Sequence, residues 1–152
     1  GVMGFAAPVA AFANLRRILR PHGQLAFVCW RALQEDELDH LPLTAGGFAA
    51  PADHTPFSLA NPDTIRSTLA AAGFSGIVIE PHDEEVSSGD LDVMLQVLLK
   101  VGPLGRILRE NPALRAKAAP RLRATLAARG DPSSVCLKAS VWIVTARTTA
   151  QA

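Results

Sequence analysis

The sequence predicts an α/β fold built on a sheet covered by helices, and two observations carry that expectation. Residues 24–30 (QLAFVCW) and 138–148 (KASVWIVTART) are apolar at successive positions, the pattern of strands buried on both faces. The elements also run helix, strand, loop, helix, strand, helical insertion, strand, which contains the strand-helix-strand unit of such sheets.

Each element has its own warrant. Residues 8–20 (PVAAFANLRRILR) place Pro8 at a first helical position and repeat Val9, Phe12, Leu15 and Leu19 at helical spacing, with Arg16, Arg17 and Arg20 near the negative end. Pro21-His22-Gly23 stops that helix, and the first strand follows. Residues 31–56 keep no period and are rich in Gly, Pro, Asp and His, so they read as a long connection with one short helix near 35–41. Asn61-Pro62-Asp63 is a helix start, Ile65, Leu69 and Ala72 form its buried stripe, and Gly73 supplies a left-handed stop. Residues 76–80 (GIVIE) are a short β-branched strand, and Asp83-Glu84-Glu85 reads as an acidic turn.

Leu91, Met94, Leu95, Leu98 and Val101 then form a helical stripe that Gly102-Pro103 interrupts, before a shorter helix through Ile107 and Leu108. Asn111-Pro112 opens a basic helix holding Leu114, Leu122 and Leu126, expected to bend or break at Pro120. The last strand places Val141 and Ile143 on one face and Trp142 and Val144 on the other. The expected organisation is one partial domain, with a sheet core and flanking helices in residues 1–89, a helical lid insertion in 90–130 and a final antiparallel strand in 131–152.

At 152 residues, 49% hydrophobic and 19% charged, the chain is long enough for one core and too short for two full domains. A formal charge of +1 excludes a field that draws the whole molecule onto nucleic acid or an anionic membrane. Cys29 and Cys136 each lie in an apolar run and read as two buried thiols, neither disulfide nor zinc ligands, which fits a reducing cytoplasm. Residues 1–13 are apolar but too short to span a bilayer and lack a preceding basic region. A chain opening on Gly1-Val2, with three strands that leave an edge and an apolar face uncovered, reads as part of a longer protein with further strands upstream.

Three stretches carry a family resemblance. GVMGFAAPVAAFANLRRILRPHGQLAFVCW has a small-residue turn, a helix, a Pro-containing stop and a strand ending in an aromatic. FSLANPDTIRSTLAAAGFSGIVIEP has a helix, Ala-Gly-Phe and a strand, and SVWIVTART is a closing strand. Together they resemble the C-terminal half of class I S-adenosylmethionine-dependent methyltransferases, in particular bacterial relatives of the ubiquinone and menaquinone biosynthesis enzymes. The resemblance implies a Rossmann-like sheet of which this chain keeps strands five to seven, the antiparallel seventh inserting between the fifth and sixth. It also implies S-adenosylmethionine as cofactor and a small-molecule methyl acceptor. His22 stands where the family usually has Gly. Gly4 and Ala7 stand where it often has an aromatic and Asp. The family's glycine-rich cofactor loop and ribose-binding acid have no counterpart here.

The resemblance puts Gly1, Val2 and Met3 beside the methionine part of the cofactor, the alternative being a simple apolar strand end. Phe5, in the turn at a strand's carboxyl end, is expected to bind substrate. Trp30 and Arg31 follow the first strand and are expected to line the acceptor pocket, as an aromatic plane and a guanidinium for an acidic group. The alternative for Trp30 is plain core packing. His82, next to Asp83 at an expected strand end, is the one candidate general base, with an exposed loop histidine as the alternative. His22, His40 and His54 suggest no catalysis and no metal site.

Arg106, Arg109, Arg115, Lys117, Arg121, Arg123 and Arg129 read as a solvated lid face. No Phe, Tyr or Trp lies between Phe74 and Trp142 to stack on bases. A homodimer through the exposed sheet edge or the lid helices is a further expectation, with Leu98, Leu99 and Leu108 as candidate surface. The competing functional class is a non-catalytic interaction module. A nicotinamide-dependent enzyme shares the sheet type but would need a G-x-G-x-x-G run that does not occur. The 152-residue chain by itself is expected to transfer no methyl group.

Overall fold

The computed structural model describes residues 1–150. Within them the chain divides into two compact units. Unit 1 comprises Gly1–Ala32, Thr55–His82 and the stretch from Ser140 onward, and unit 2 comprises Leu33–His54 and Asp83–Ala139.

Helix α1 spans Pro8–Ile18, with Pro8 in its first turn and Arg16 and Arg17 in its last. It ends in a tight turn where His22 adopts φ +59°, the left-handed region that favours glycine. Strand β1, Gln24–Trp30, follows. Helix α3, Pro62–Ala71, begins as its sequence dictates: the Asn61 side chain accepts a hydrogen bond from the Asp63 amide. Gly73 at φ +91° provides the expected stop. Strands β2, Phe74–Val86, and β3, Leu137–Thr148, complete the sheet.

The strand order is β1-β3-β2, and β1 runs antiparallel to β3 in the register Gln24↔Arg147 through Trp30↔Val141. Ser75, at the start of β2, donates its hydroxyl to Arg147 O near the end of β3. Asp83, late in β2, meets Lys138 at the start of β3. Strand β2 is therefore antiparallel to β3 as well, and the last strand of the chain lies between two strands that share a direction. Thr148 locks this arrangement to the turn after α1. Its amide donates to Gly23 O at 2.9 Å, its hydroxyl donates to Arg20 O at 2.9 Å, and the hydroxyl oxygen accepts from Gly23 N.

The unit 1 core holds Phe12 of α1, Ile65 and Leu69 of α3, Cys29 of β1, and Val144 and Ala146 of β3. Both helices thus cover one sheet face, and the expectation of strands buried on both faces is corrected. The other face carries Val28, Ile143 and Val78 at 55%, 37% and 48% exposure, and Val28 and Ile143 are register partners. Val9, placed by its spacing in the apolar stripe of α1, is likewise exposed, which corrects that expectation, while Phe12 of the same stripe is buried.

Unit 2 is mainly helical: α2 Glu37–Ala45, α4 Leu91–Leu98, α5 Gly102–Glu110 and α6 Arg115–Ala127. Its own core includes Met94, Leu95, Leu98, Leu104, Ala118, Leu122 and Leu126. Leu98, Leu99 and Leu108 belong to this core, so they offer no outer surface for a partner. Two further expectations are corrected here. Helix α6 passes through Pro120 unbroken, since the ring removes one backbone bond while buried Ala118, Leu122 and Leu126 hold both flanks. Asp83-Glu84-Glu85 continues β2 to Val86.

Gly105 shows how closely α5 meets the end of α4, because a Cβ there would lie 2.3 Å from the Lys100 carbonyl carbon. Among the described residues no helix is long and apolar enough to cross a membrane.

Candidate functional site

The first residues of the chain form a 3-10 turn, Val2–Gly4, closed by a hydrogen bond from Gly4 N to Gly1 O at 3.0 Å. The turn is held from across unit 1, where Ser58 donates its hydroxyl to Met3 O at 3.0 Å. Val2, Met3 and Phe5 pack against the unit 1 core. Phe5 meets Phe12 edge-on at 5.6 Å between centroids, and Phe12 in turn contacts Phe27. A Cβ placed on Gly1 or Gly4 meets nothing within 4 Å, so the outer side of the turn has room.

Strand alternation decides the fate of the two residues proposed for the acceptor. Cys29 is the register partner of Trp142 and Trp30 that of Val141, so Trp30 faces the open side of the sheet with Val28, away from the side on which the Gly1–Phe5 turn packs. Arg31 leaves the strand and turns the other way. Its amide bonds Ser140 O at 3.1 Å, and its guanidinium carbon lies 5.3 Å from the Trp142 ring centroid. The Trp142 indole is itself fixed by a 2.8 Å bond from Nε1 to Ala60 O. The structure therefore separates Trp30 from Arg31 and pairs Arg31 with Trp142.

Trp142 and Ser58 are the residues that the sequence reading passed over. Trp142 is the register partner of Cys29, so the antiparallel register alone places it on the core face.

Beneath this shelf the Cys29 thiol points to Leu59 O at 3.9 Å, and burial pushes its pKa up to about 11. It stays a protonated thiol at neutral pH and is no nucleophile. Cys136 corrects the expectation of two buried thiols. It is exposed because Val135 and Leu137 on either side turn inward.

His82 lies inside β2, and the strand end that motivated its assignment as a base lies at Val86. The neighbouring Asp83 meets Lys138 at the start of β3. Among the described residues no three His, Cys, Asp or Glu side chains gather where a metal ion could be held.

Unit 1 thus holds a fixed backbone turn packed on the same core as a half-buried aromatic plane, and a guanidinium over that plane. These groups can position a flat or acidic small molecule, and they include no activated nucleophile.

No family model and no curated protein matches the chain. A solved structure from Bacillus halodurans C-125, described as a "putative methyltransferase", aligns with 98% of this chain at 13% identity and a TM-score of 0.47. The chain spans 61% of that protein's length. At that identity and score the likeness assigns neither family nor activity.

Proposed function

We propose that the chain forms the acceptor-side part of an S-adenosylmethionine-dependent methyltransferase acting on a small molecule. The observation that supports it best is the strand order β1-β3-β2 with the last strand antiparallel in the middle. That is the order implied by the resemblance of residues 1–30, 57–81 and 140–148 to strands five, six and seven of that family. A sheet type hosts many activities, so the step from sheet to methyl transfer rests on those stretches.

When bound, S-adenosylmethionine supplies both the methyl group and its own leaving group, which leaves the protein to orient the partners and exclude water. The described residues fit one wall of such a site. The open side of the Gly1–Phe5 turn offers backbone and space, with Ser58 fixing the Met3 carbonyl. Arg31 is a cation and would repel a sulfonium, so it belongs with the acceptor, where Trp142 gives the flat surface and the guanidinium binds an acidic group. Trp30 contributes to the opposite face of the sheet. His82 as general base remains part of the proposal, tested by whether His82→Gln removes the acidic limb of the pH profile, the loss of rate as pH falls.

The test is a labelled methyl-transfer assay on the product of the complete reading frame. The proposal expects turnover with a small acidic acceptor and a KM raised about tenfold or more by Arg31→Gln. Absence of transfer to any small molecule, with the protein folded, contradicts it. A second reading, a non-catalytic interaction module, is favoured by the open apolar face at Val28, Ile143 and Val78.

A further inference from the structure

We propose that unit 2 carries a binding site for a small amphiphilic anion, a carboxylate or phosphate head on a short aliphatic tail. The head site is a pocket of about 210 Å³ lined by Leu99, Lys100, Leu108, Arg109, Pro112 and Arg115. Its floor is apolar, since Leu99 and Leu108 are core residues, and its rim holds three cations.

Three arginines of unit 2 are paired with carboxylates, whereas Lys117 and Arg121, among the described residues, are not. Arg106 pairs with Asp53 and Glu110, Arg123 with Asp92, and Arg129 with Glu37. Lys100, Arg109 and Arg115 have no acidic partner within 4 Å among the described residues. The two arginines are nevertheless held in place, and by neutral acceptors. Arg109 Nη1 donates to Lys100 O, and Arg115 Nη2 donates to Gln96 Oε1 at 3.1 Å. Hydrogen bonds to neutral groups orient a guanidinium without cancelling its charge, and most of its five donors remain for a ligand. Arg115 also begins α6, whose first turn has no acidic residue and no side-chain cap, so the positive helix end adds to the same field. Three like charges around one concavity repel one another, and an anion between them relieves that repulsion.

The tail has a place next to the head. A second hollow of about 330 Å³ runs along α4, lined by Asp92, Val93, Gln96, Val97 and Lys100. Lys100 borders both hollows, and Gln96, which lines the second, is the residue that holds Arg115. Val93 and Val97 are four apart and present one aliphatic strip, with Val93 46% exposed. Asp92, at the far end, is already paired with Arg123.

The head pocket is smaller than those that take drug-sized ligands, which limits the occupant to a compact head. The absence of any Phe, Tyr or Trp between Phe74 and Trp142 disfavours a nucleic-acid strand or a membrane surface, both of which use aromatic anchors at such sites.

The test uses calorimetric titration of the full 152-residue chain with octyl phosphate, inorganic phosphate and octanol, with phosphatidylglycerol vesicles as a separate arm. The proposal expects one saturable site for octyl phosphate, at least tenfold tighter than for either inorganic phosphate or octanol. Lys100→Gln and Arg115→Gln should each weaken it about tenfold or more, while the charge-matched control Lys117→Gln leaves it unchanged. Val93→Asp should weaken octyl phosphate and leave inorganic phosphate as it was. Circular dichroism confirms that each variant is folded. Non-saturable binding, equal losses in Lys117→Gln and Lys100→Gln, or binding to vesicles alone would overturn the proposal.

Discussion

Arg31 lies over Trp142, its guanidinium carbon 5.3 Å from the ring centroid, while the residue before it in the chain faces the opposite side of the sheet. The contact joins the end of β1 to the middle of β3 and is anchored by the Trp142 Nε1 bond to Ala60 O. Trp142→Phe removes that bond and weakens the cation-π contact, and should cost about 1 to 2 kcal/mol in urea unfolding. Trp30→Phe leaves no donor stranded and should stay within about 0.5 kcal/mol of the parent protein. Equal costs for the two would contradict the assignment of faces.

The Asp39 carboxyl, half-buried in unit 2 and placed beside the buried Asp36, has its pKa pushed up to about 7. Desolvation is the largest cause, followed by the Asp36 charge and the hydrogen bond between the two side chains. Unfolded, the same group titrates near 3.9, roughly. Between about pH 4 and about pH 7 the folded state therefore binds more protons than the unfolded one, and stability falls as pH rises across that window. Asp39→Asn keeps a hydrogen-bond donor toward Asp36 and carries no charge. It should raise stability at pH 8 and flatten the decline between pH 4 and 7, as read from urea midpoints at several pH values. A variant less stable than the parent at pH 8 would count against the shift.

Two backbone positions give opposite signs. His22 holds φ +59°, so His22→Gly should stabilise the turn after α1 by about 1 kcal/mol. A Cβ at Gly105 would collide with the Lys100 backbone, so Gly105→Ala should destabilise by about 2 kcal/mol despite alanine's better helix propensity. Thermal midpoints of the two variants should move in opposite directions.

The two thiols should differ sharply in reactivity. Cys136 is exposed, whereas Cys29 is buried with a pKa near 11, leaving it a thiolate fraction on the order of a thousandth at pH 8. A thiol reagent should label Cys136 in the folded protein and reach Cys29 only when denaturant opens unit 1. Mass spectrometry of the labelled peptides reads this directly.

Local signals were the legible part of this fold. Asn61, Pro62 and Gly73 bracket α3 because capping chemistry and a left-handed stop depend on a few adjacent residues. The β1-β3-β2 order was also foreseeable, though from likeness to a family and not from periodicity. What stayed hidden depends on the third dimension. Val28 and Ile143 look like core residues in an apolar run, yet both helices of unit 1 pack on the other face. Pro120 looks like a break until the burial of Ala118 and Leu122 on either side is known. The same blindness affected the site: Trp30 and Arg31 are adjacent in sequence but diverge in space, and the partner of Arg31 comes from a strand more than a hundred residues on.

The central claim, that this sheet belongs to a protein that uses S-adenosylmethionine, is tested most directly by calorimetric titration of S-adenosylmethionine into the product of the complete reading frame. A parallel titration into the 152-residue chain shows what these residues supply by themselves. The account predicts saturable one-to-one binding to the complete product, weakened by changes at the Gly1–Phe5 turn such as Ser58→Ala, which frees the Met3 carbonyl. A folded complete product that takes up no S-adenosylmethionine would contradict it and leave the open apolar sheet face as the better guide to function.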